Sequence, residues 1–475
     1  MLQAAVRRSY ANAVLSARLS MLRMTSDEMA DKVWETTVEE EPIPAGRAAK
    51  LALVWVWPFY RVDSLQGARI SIGRDESSGI QVDGSGVSRR HAELYRQGPL
   101  YVLRDAESTN GTWLDGRQVE HAPVGVGQVM RIGECVGVFA LRDASSAQFG
   151  EHARAVFGGP EMAELLEPVK RAAGTTVPVL LIGDTGTGKE RLARAVHHFS
   201  GRTGPFIAVN CAALPEQLAE AELFGYRRGA FTGAERPSLG YFRGAHLGTL
   251  FLDEMPELSP ALQAKLLRVV EDNQVTGLGE ATPTSVDVRL VSASQKAVSQ
   301  LVAEGKLRED LVARLSGLQV QLPTLSARRA DVALLFLQFL KQQTGGRPPS
   351  VDARVIEALC LHAWPRNVRE LELMTRTLLA VHGHERTLRR HHLPAELAGR
   401  MQPRDDARSS SPPRGRREHD LARLKSELAS NGGSVKAAAD VLGISRQRVY
   451  RLLDGAGAEG AALGGRAGSD DDARN

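Results

Sequence analysis

Apolar positions divide this chain by their spacing. Between Leu51 and Asp143 they come in short runs set apart by turn signals: LALVWVW, ARISIG, GIQVD, HAELYR, LYVLRD, TWLDG, QVMRIG and VGVFALR. Strand-like runs recurring about every 8 to 12 residues predict an all-β sandwich over residues 50–143. From 153 to 330 helical patterns alternate with the apolar runs VPVLLIG, PFIAVN, GTLFLDE and VDVRLVSAS. That alternation predicts an α/β unit, a parallel sheet covered by helices. Residues 331–400 read as helix without strand runs, a small helical subdomain, and 419–454 read as helix again.

The intervening stretches lack either period. Residues 1–49 open with Arg-bearing, acid-free sequence and continue acidic and then Pro/Gly-bearing, which predicts a disordered extension and linker. The first 24 residues hold no long apolar block, so no signal peptide is expected. ASSAQFGEH at 144–152 is a polar linker, 401–418 is a Pro/Ser/Arg linker, and the tail 455–475 is of low complexity.

Composition narrows the class. Lys and Arg number 60 against 56 Asp and Glu, so any nucleic-acid contact must come from a local patch. Cys135, Cys211 and Cys360 are far apart and form no CxxC pair, which argues against a disulfide framework or a zinc site and fits a reducing cytoplasm. No apolar run reaches the roughly 18 residues of a membrane span, so no membrane partner is expected.

Two elements carry chemistry. VLLIGDTGTGKE at 179–190 is an apolar strand followed by G-x-x-x-x-G-K. Gly183, Gly186 and Gly188, with Asp184, Thr185 and Thr187 between them, let backbone N–H groups ring a phosphate, and Lys189 adds a charge toward the β and γ phosphates of ATP. Glu190 follows the lysine, where a Ser or Thr hydroxyl would otherwise meet Mg²⁺. TLFLDE at 249–254 ends a strand in two acids. Asp253 is expected to hold Mg²⁺ through water, and Glu254 to orient and deprotonate an attacking water.

GDTGTGKE, ELFGYRRGAFTGA, GTLFLDE, LREDLVARL and WPRNVRELE occur in that order. Over 153–400 the chain resembles the AAA+ domain of sigma-54-dependent transcriptional activators, the bacterial enhancer-binding proteins. The resemblance implies that Gly229, Ala230, Phe231, Thr232, Gly233 and Ala234 tip a nucleotide-driven loop that touches sigma-54. It implies arginine fingers at Arg308 and Arg314 reaching a neighbour's ATP, a sensor II arginine at Arg369, and Asn210 paired with Glu254. Fingers acting in trans imply a homo-oligomer, a dimer assembling to a hexamer. In RLVSASQ the chain departs from the family, placing Gln295 where an Asn sensor I is usual, and LPTLSARR brings Ser326 and Ala327 into a run usually rich in Arg and Glu.

NGGSVKAAADVLGISRQRVYRLL at 431–453 resembles the Fis-type helix–turn–helix of the same family. Ser445 is a natural cap for its second helix. Arg446, Gln447, Arg448, Tyr450 and Arg451 lie on that helix, and Arg and Gln suit base edges of enhancer DNA. IGRDESS, SRRH and STNGTWLDG, at 72, 88 and 108, resemble a forkhead-associated (FHA) domain over 50–143. That implies a phosphothreonine partner, a Ser/Thr kinase or its substrate, met by Arg74, Ser88, Arg89, Thr109 and Asn110, with His91 bracing the loops. The expected function is an ATP-dependent activator of sigma-54 RNA polymerase. Two other readings stay open: a DNA-bound phosphopeptide sensor or repressor with weak ATPase, and a AAA+ remodeller of some other protein.

Overall fold

The computed structural model describes residues 50–98, 100–142 and 160–398. The N-terminal extension, the linkers at 144–152 and 401–418, the helix–turn–helix with Ser445, Arg446, Gln447, Arg448, Tyr450 and Arg451, and the tail lie outside the described residues.

The first eleven strands are β1 Lys50–Trp57, β2 Arg61–Ser64, β3 Arg69–Gly73, β4 Ile80–Gln81, β5 Ala92–Gln97, β6 Leu100–Asp105, β7 Thr112–Leu114, β8 Arg117–Val119, β9 His121–Val124, β10 Val129–Ile132 and β11 Cys135–Arg142. They form two sheets, β2-β1-β11-β10-β7-β8 and β4-β3-β5-β6-β9, antiparallel except for the β3–β4 pair. Strand alternation puts Leu51, Leu53 and Trp55 of β1 and Phe139 of β11 into the core between the sheets, with Leu53 opposite Phe139. Trp55 is fully buried, and its indole N–H donates to Asp63 at 2.8 Å, so the polar edge of the ring is satisfied.

An α/β layer follows: α1 Pro160–Ala173, β12 Val179–Ile182, α2 Lys189–Ser200, β13 Phe206–Asn210, α3 Glu216–Phe224, α4 Gly240–Gly244, β14 Thr249–Asp253, α5 Pro260–Asp272, the short pair β15 Gln274–Val275 and β16 Thr284–Ser285, β17 Arg289–Ser294, α6 Val298–Ala303, α7 Glu309–Leu315 and β18 Leu318–Gln321. The sheet runs β13-β14-β17-β12-β18 and is parallel throughout. Its central strands are apolar on both faces, as helix-covered parallel strands must be: VLLI of β12 and TLFL of β14 bury almost every side chain. The order brings the carboxyl ends of β12, β17 and β14 side by side, where such sheets bind ligands.

A helical lid closes the described chain: α8 Arg329–Gln343, β19 Ser350–Val351, α9 Ala353–Leu361, α10 Asn367–His382, β20 Thr387–Leu388 and α11 Ala395–Ala398. The sequence shows no strand run here, yet β19 and β20 form a two-residue parallel ladder.

The sandwich packs on this lid. Val54, Val56, Val129, Val136 and Val138 point away from the inter-sheet core and join one apolar cluster with Val332, Phe336 and Leu359 of the lid. Each valine taken from water contributes roughly 1.5–3 kcal/mol as an upper bound. Hydrogen bonds to charged groups in the same seam contribute roughly 1.5–3 kcal/mol apiece, and desolvation offsets much of that for the buried ion pair. Apolar burial therefore holds the contact, and the polar groups set its register. Those groups are Arg131, whose Nε donates to Glu357 at 2.5 Å, Arg329, donating to the Gly127 carbonyl at 2.8 Å, and Glu134, accepting from the Ala353 amide at 3.4 Å.

Candidate functional site

The phosphate loop leaves β12 and enters α2 through two left-handed glycines, Gly186 at φ +79° and Gly188 at +106°. A side chain at Gly186 would meet the Arg366 carbonyl at 2.3 Å, so only glycine lets the lid approach this turn. Gly188 caps α2 with no side-chain hydrogen bond, which leaves the first N–H groups of the helix aimed at an anion. Lys189 is buried, and its ammonium donates to the Gly183 carbonyl at 2.7 Å. Burial lowers its pKa, while the nearby charges of Asp253, Glu254 and Asp184 oppose that shift.

Asp253 ends β14 and Glu254 follows it. Burial raises the pKa of Asp253, and Lys189 opposes that shift. Glu254 sits in the left-handed region at φ +54°, an uncommon place for a non-glycine residue and one typical of functional sites. Its carboxylate accepts a hydrogen bond from the Gln295 amide at the end of β17. Asn210, which ends β13 in register with Asp253, turns elsewhere: its Oδ1 accepts from the Ala212 amide at 3.0 Å. The amide that holds Glu254 in this structure is thus that of Gln295. Among the described residues no group of three His, Cys, Asp or Glu side chains forms a metal cluster. The donors present still fit Mg²⁺, which takes one or two carboxylates and completes its shell with water and phosphate oxygens. Glu190 is engaged on the outer face of α2, paired with Arg194 at 2.7 Å.

The lid reaches the same loop. Asn367 is buried at φ +55°, and its Nδ2 donates to the Thr185 carbonyl at 3.0 Å. The Val368 amide donates to Gly186 at 2.9 Å, and Arg328 donates to Thr187 at 2.9 Å. Arg369 stands beside them, its Cβ 3.2 Å from the position a Gly186 side chain would take. Arg308 and Arg314 are exposed, before and at the end of α7. Arg308 is held by Asp310 at 2.7 Å, and its amide donates to the buried Gln263 at 3.0 Å.

Residues 229–234 form a tight loop between α3 and α4. The Gly229 amide donates to the Ala234 carbonyl at 2.8 Å, and Gly229 and Gly233 take φ +78° and +98°. Thr232 is exposed at the tip, while Phe231 folds back on Tyr226 with ring centroids 5.0 Å apart. The exposed contact in this conformation is the threonine, and the phenylalanine braces the loop base.

At one end of the sandwich Arg74, Arg89, Thr109 and Asn110 are exposed around the half-buried Ser88. A side chain at Gly73 would lie 2.1 Å from the Arg89 carbonyl, so glycine is what lets β3 bring Arg74 against this loop. Ser88 Oγ accepts from the Thr109 amide at 3.1 Å, and Asn110 Nδ2 donates to the Gly86 carbonyl at 2.7 Å. His91 is fully buried beneath them. Its Nδ1 accepts from the Ser88 amide at 3.0 Å, which puts the ring proton on Nε2, 3.2 Å from the Gly111 carbonyl. Burial lowers its pKa below the ordinary 6.5.

Known proteins share these regions. A family model described as the sigma-54 interaction domain matches residues 156–321, an FHA domain model matches 70–133, and a AAA+ ATPase lid model matches 326–410. The transcriptional regulatory protein ZraR of Salmonella typhimurium is 36% identical over 325 residues, covering 66% of this chain and 70% of the relative. The chain belongs to the sigma-54-dependent transcriptional activators. A second relative, the Nif-specific regulatory protein of Rhodobacter capsulatus, is 47% identical over 222 residues, 46% of this chain and 38% of its own length. Against several of the curated relatives it matches, the chain spans less than two thirds of the relative. A crystal structure of NtrX from Brucella abortus aligns at 32% identity and a TM-score of 0.47, covering 65% of this chain and 70% of that one.

In this family member several contacts that fix the candidate loops come from residues that motif reading passed over. Asn367 lies inside WPRNVRELE, and its place at the start of a helix was the available signal. Asp105 binds Ser108 twice, at 3.0 and 2.6 Å, and Thr112 at 2.7 Å, which fixes the loop carrying Thr109 and Asn110. An Asp three residues before a Ser, ahead of a glycine turn, is its sequence signature.

Proposed function

We propose that this chain activates transcription by sigma-54 RNA polymerase at the expense of ATP. Its helix–turn–helix binds enhancer DNA, its subunits assemble from dimer to hexamer in the cytoplasm, and a phosphothreonine protein engages the FHA domain to control it. ATP with Mg²⁺ supplies the phosphoryl group that passes to water. Lys189 and the N–H groups of residues 183–190 bind the phosphates, Asp253 holds the metal, and Glu254 orients water and takes its proton. Arg369 reads nucleotide from the lid, and Arg308 and Arg314 act on the neighbour's site. The supporting observation is that Lys189, Asp253, Glu254 and Gln295 gather at one end of the sheet, with Arg369 of the lid beside them, in the subdomain that presents Thr232 at an exposed tip.

The test pairs two variants of the full chain. Lys189→Ala is expected to abolish ATP hydrolysis. Thr232→Ala is expected to hydrolyse ATP yet fail to open a sigma-54 promoter. Normal promoter opening by Thr232→Ala would turn the reading toward remodelling of another protein. A second reading, a DNA-bound phosphopeptide sensor with weak ATPase, is favoured by the bond from Gln295 to Glu254. Absence of ATPase in the unaltered chain would select it.

A further inference from the structure

The sandwich meets the lid through α8 and α9, and α9 carries a continuous run of polar contacts. At its start the Ala353 amide, in the first turn of α9, donates to Glu134 of the sandwich. One turn on, Glu357 is fully buried against Arg131, whose guanidinium also lies 4.6 Å over the Trp113 ring. At its far end the Leu359 carbonyl accepts from the buried Trp364 indole at 2.9 Å. Trp364 opens the turn that carries Asn367 and Val368 onto the phosphate loop. The sandwich side is equally continuous. Asn110 holds Gly86, the neighbouring Ser85 carbonyl accepts from the Glu134 amide at 2.9 Å, and the Glu134 carboxylate accepts from the first amide of α9, beside its N-cap Asp352. Trp113 donates to the Asn110 carbonyl at 3.4 Å and carries Arg131 on its face.

With the outer face of β1, β11 and β10 packed on the lid, we propose that α9 couples the phosphopeptide loops to the phosphate loop. The phosphopeptide edge stays exposed while the sheet face is docked, so both ligands can be bound at once. Such coupling is reciprocal: whatever nucleotide does to the FHA loops, a phosphopeptide does to nucleotide affinity by the same factor. Nine residues of helix span about 13 Å, short enough to act as one rigid strut. The inference rests on residues 183–190 binding nucleotide.

Hydrogen exchange of the full chain with and without ADP tests it. ADP is expected to slow exchange in residues 183–190 and to change exchange in 85–88 and 107–111 by about fivefold, the lower end of ordinary coupling. Glu357→Gln keeps the side-chain volume and removes the charge. It should preserve the effect at 183–190 and abolish it at the FHA loops. Glu134→Gln, which alters only the contact to the Ala353 amide, should weaken it and serves if Glu357→Gln fails to fold. Protection at 183–190 with unchanged FHA loops, or FHA loops that respond equally in both variants, overturns the coupling and leaves the nucleotide site standing. No protection at 183–190 overturns both.

Discussion

Gln295 offers the sharpest perturbation of the hydrolytic site. Its amide donates to the Glu254 carboxylate, the group assigned to activate water, and that bond must break or turn before Glu254 can serve as base. A hydrogen bond to a charged group contributes roughly 1.5–3 kcal/mol. Gln295 is exposed and Glu254 half-buried, so water competes and the lower end applies. About 1.4 kcal/mol corresponds to tenfold in rate. Gln295→Asn shortens the reach by one C–C bond, about 1.5 Å, and leaves an amide at the end of β17. The expected result is a kcat for ATP hydrolysis about tenfold higher at unchanged KM, read from steady-state rates across an ATP titration. Gln295→Ala removes clamp and amide together and should fall below the Asn variant. A Gln295→Asn enzyme with kcat equal to or below the unaltered chain would refute the clamp and leave Gln295 as a contact to nucleotide alone.

Two further predictions concern the sandwich. Glu357→Ala leaves the Arg131 guanidinium buried without this carboxylate, and breaking one side of a buried pair costs roughly 3–5 kcal/mol; thermal unfolding should show the loss, whereas Arg131→Met with Glu357→Leu should restore most of it. His91 is held neutral by burial, with a pKa below 6.5. The unfolded chain binds the extra proton first, so the stability from this histidine is present above about pH 6.5 and is lost as pH falls. Urea unfolding of the full chain should show that slope, and His91→Gln should flatten it; an unchanged slope would mean another group sets the acid limit.

The architecture was legible because its signals are local. Alternating runs mark the sandwich, βα alternation marks the parallel sheet, and glycines at fixed offsets mark the phosphate loop. What the sequence hid depends on contacts between distant segments. Asn210 and Gln295 both end strands beside Glu254, and only side-chain reach decides which amide holds the carboxylate. Phe231 reads as an exposed tip until Tyr226, five residues earlier, is seen beneath it. The docking of the sandwich left a trace that strand reading alone does not use. LALVWVW has no polar position, although a strand of an antiparallel sheet with one wet face should alternate. The structure explains it: Leu51, Leu53 and Trp55 fill the inter-sheet core while Val54 and Val56 face the lid. An antiparallel strand apolar on both faces asks for a second cover, and in this chain the cover is the lid that holds the phosphate loop.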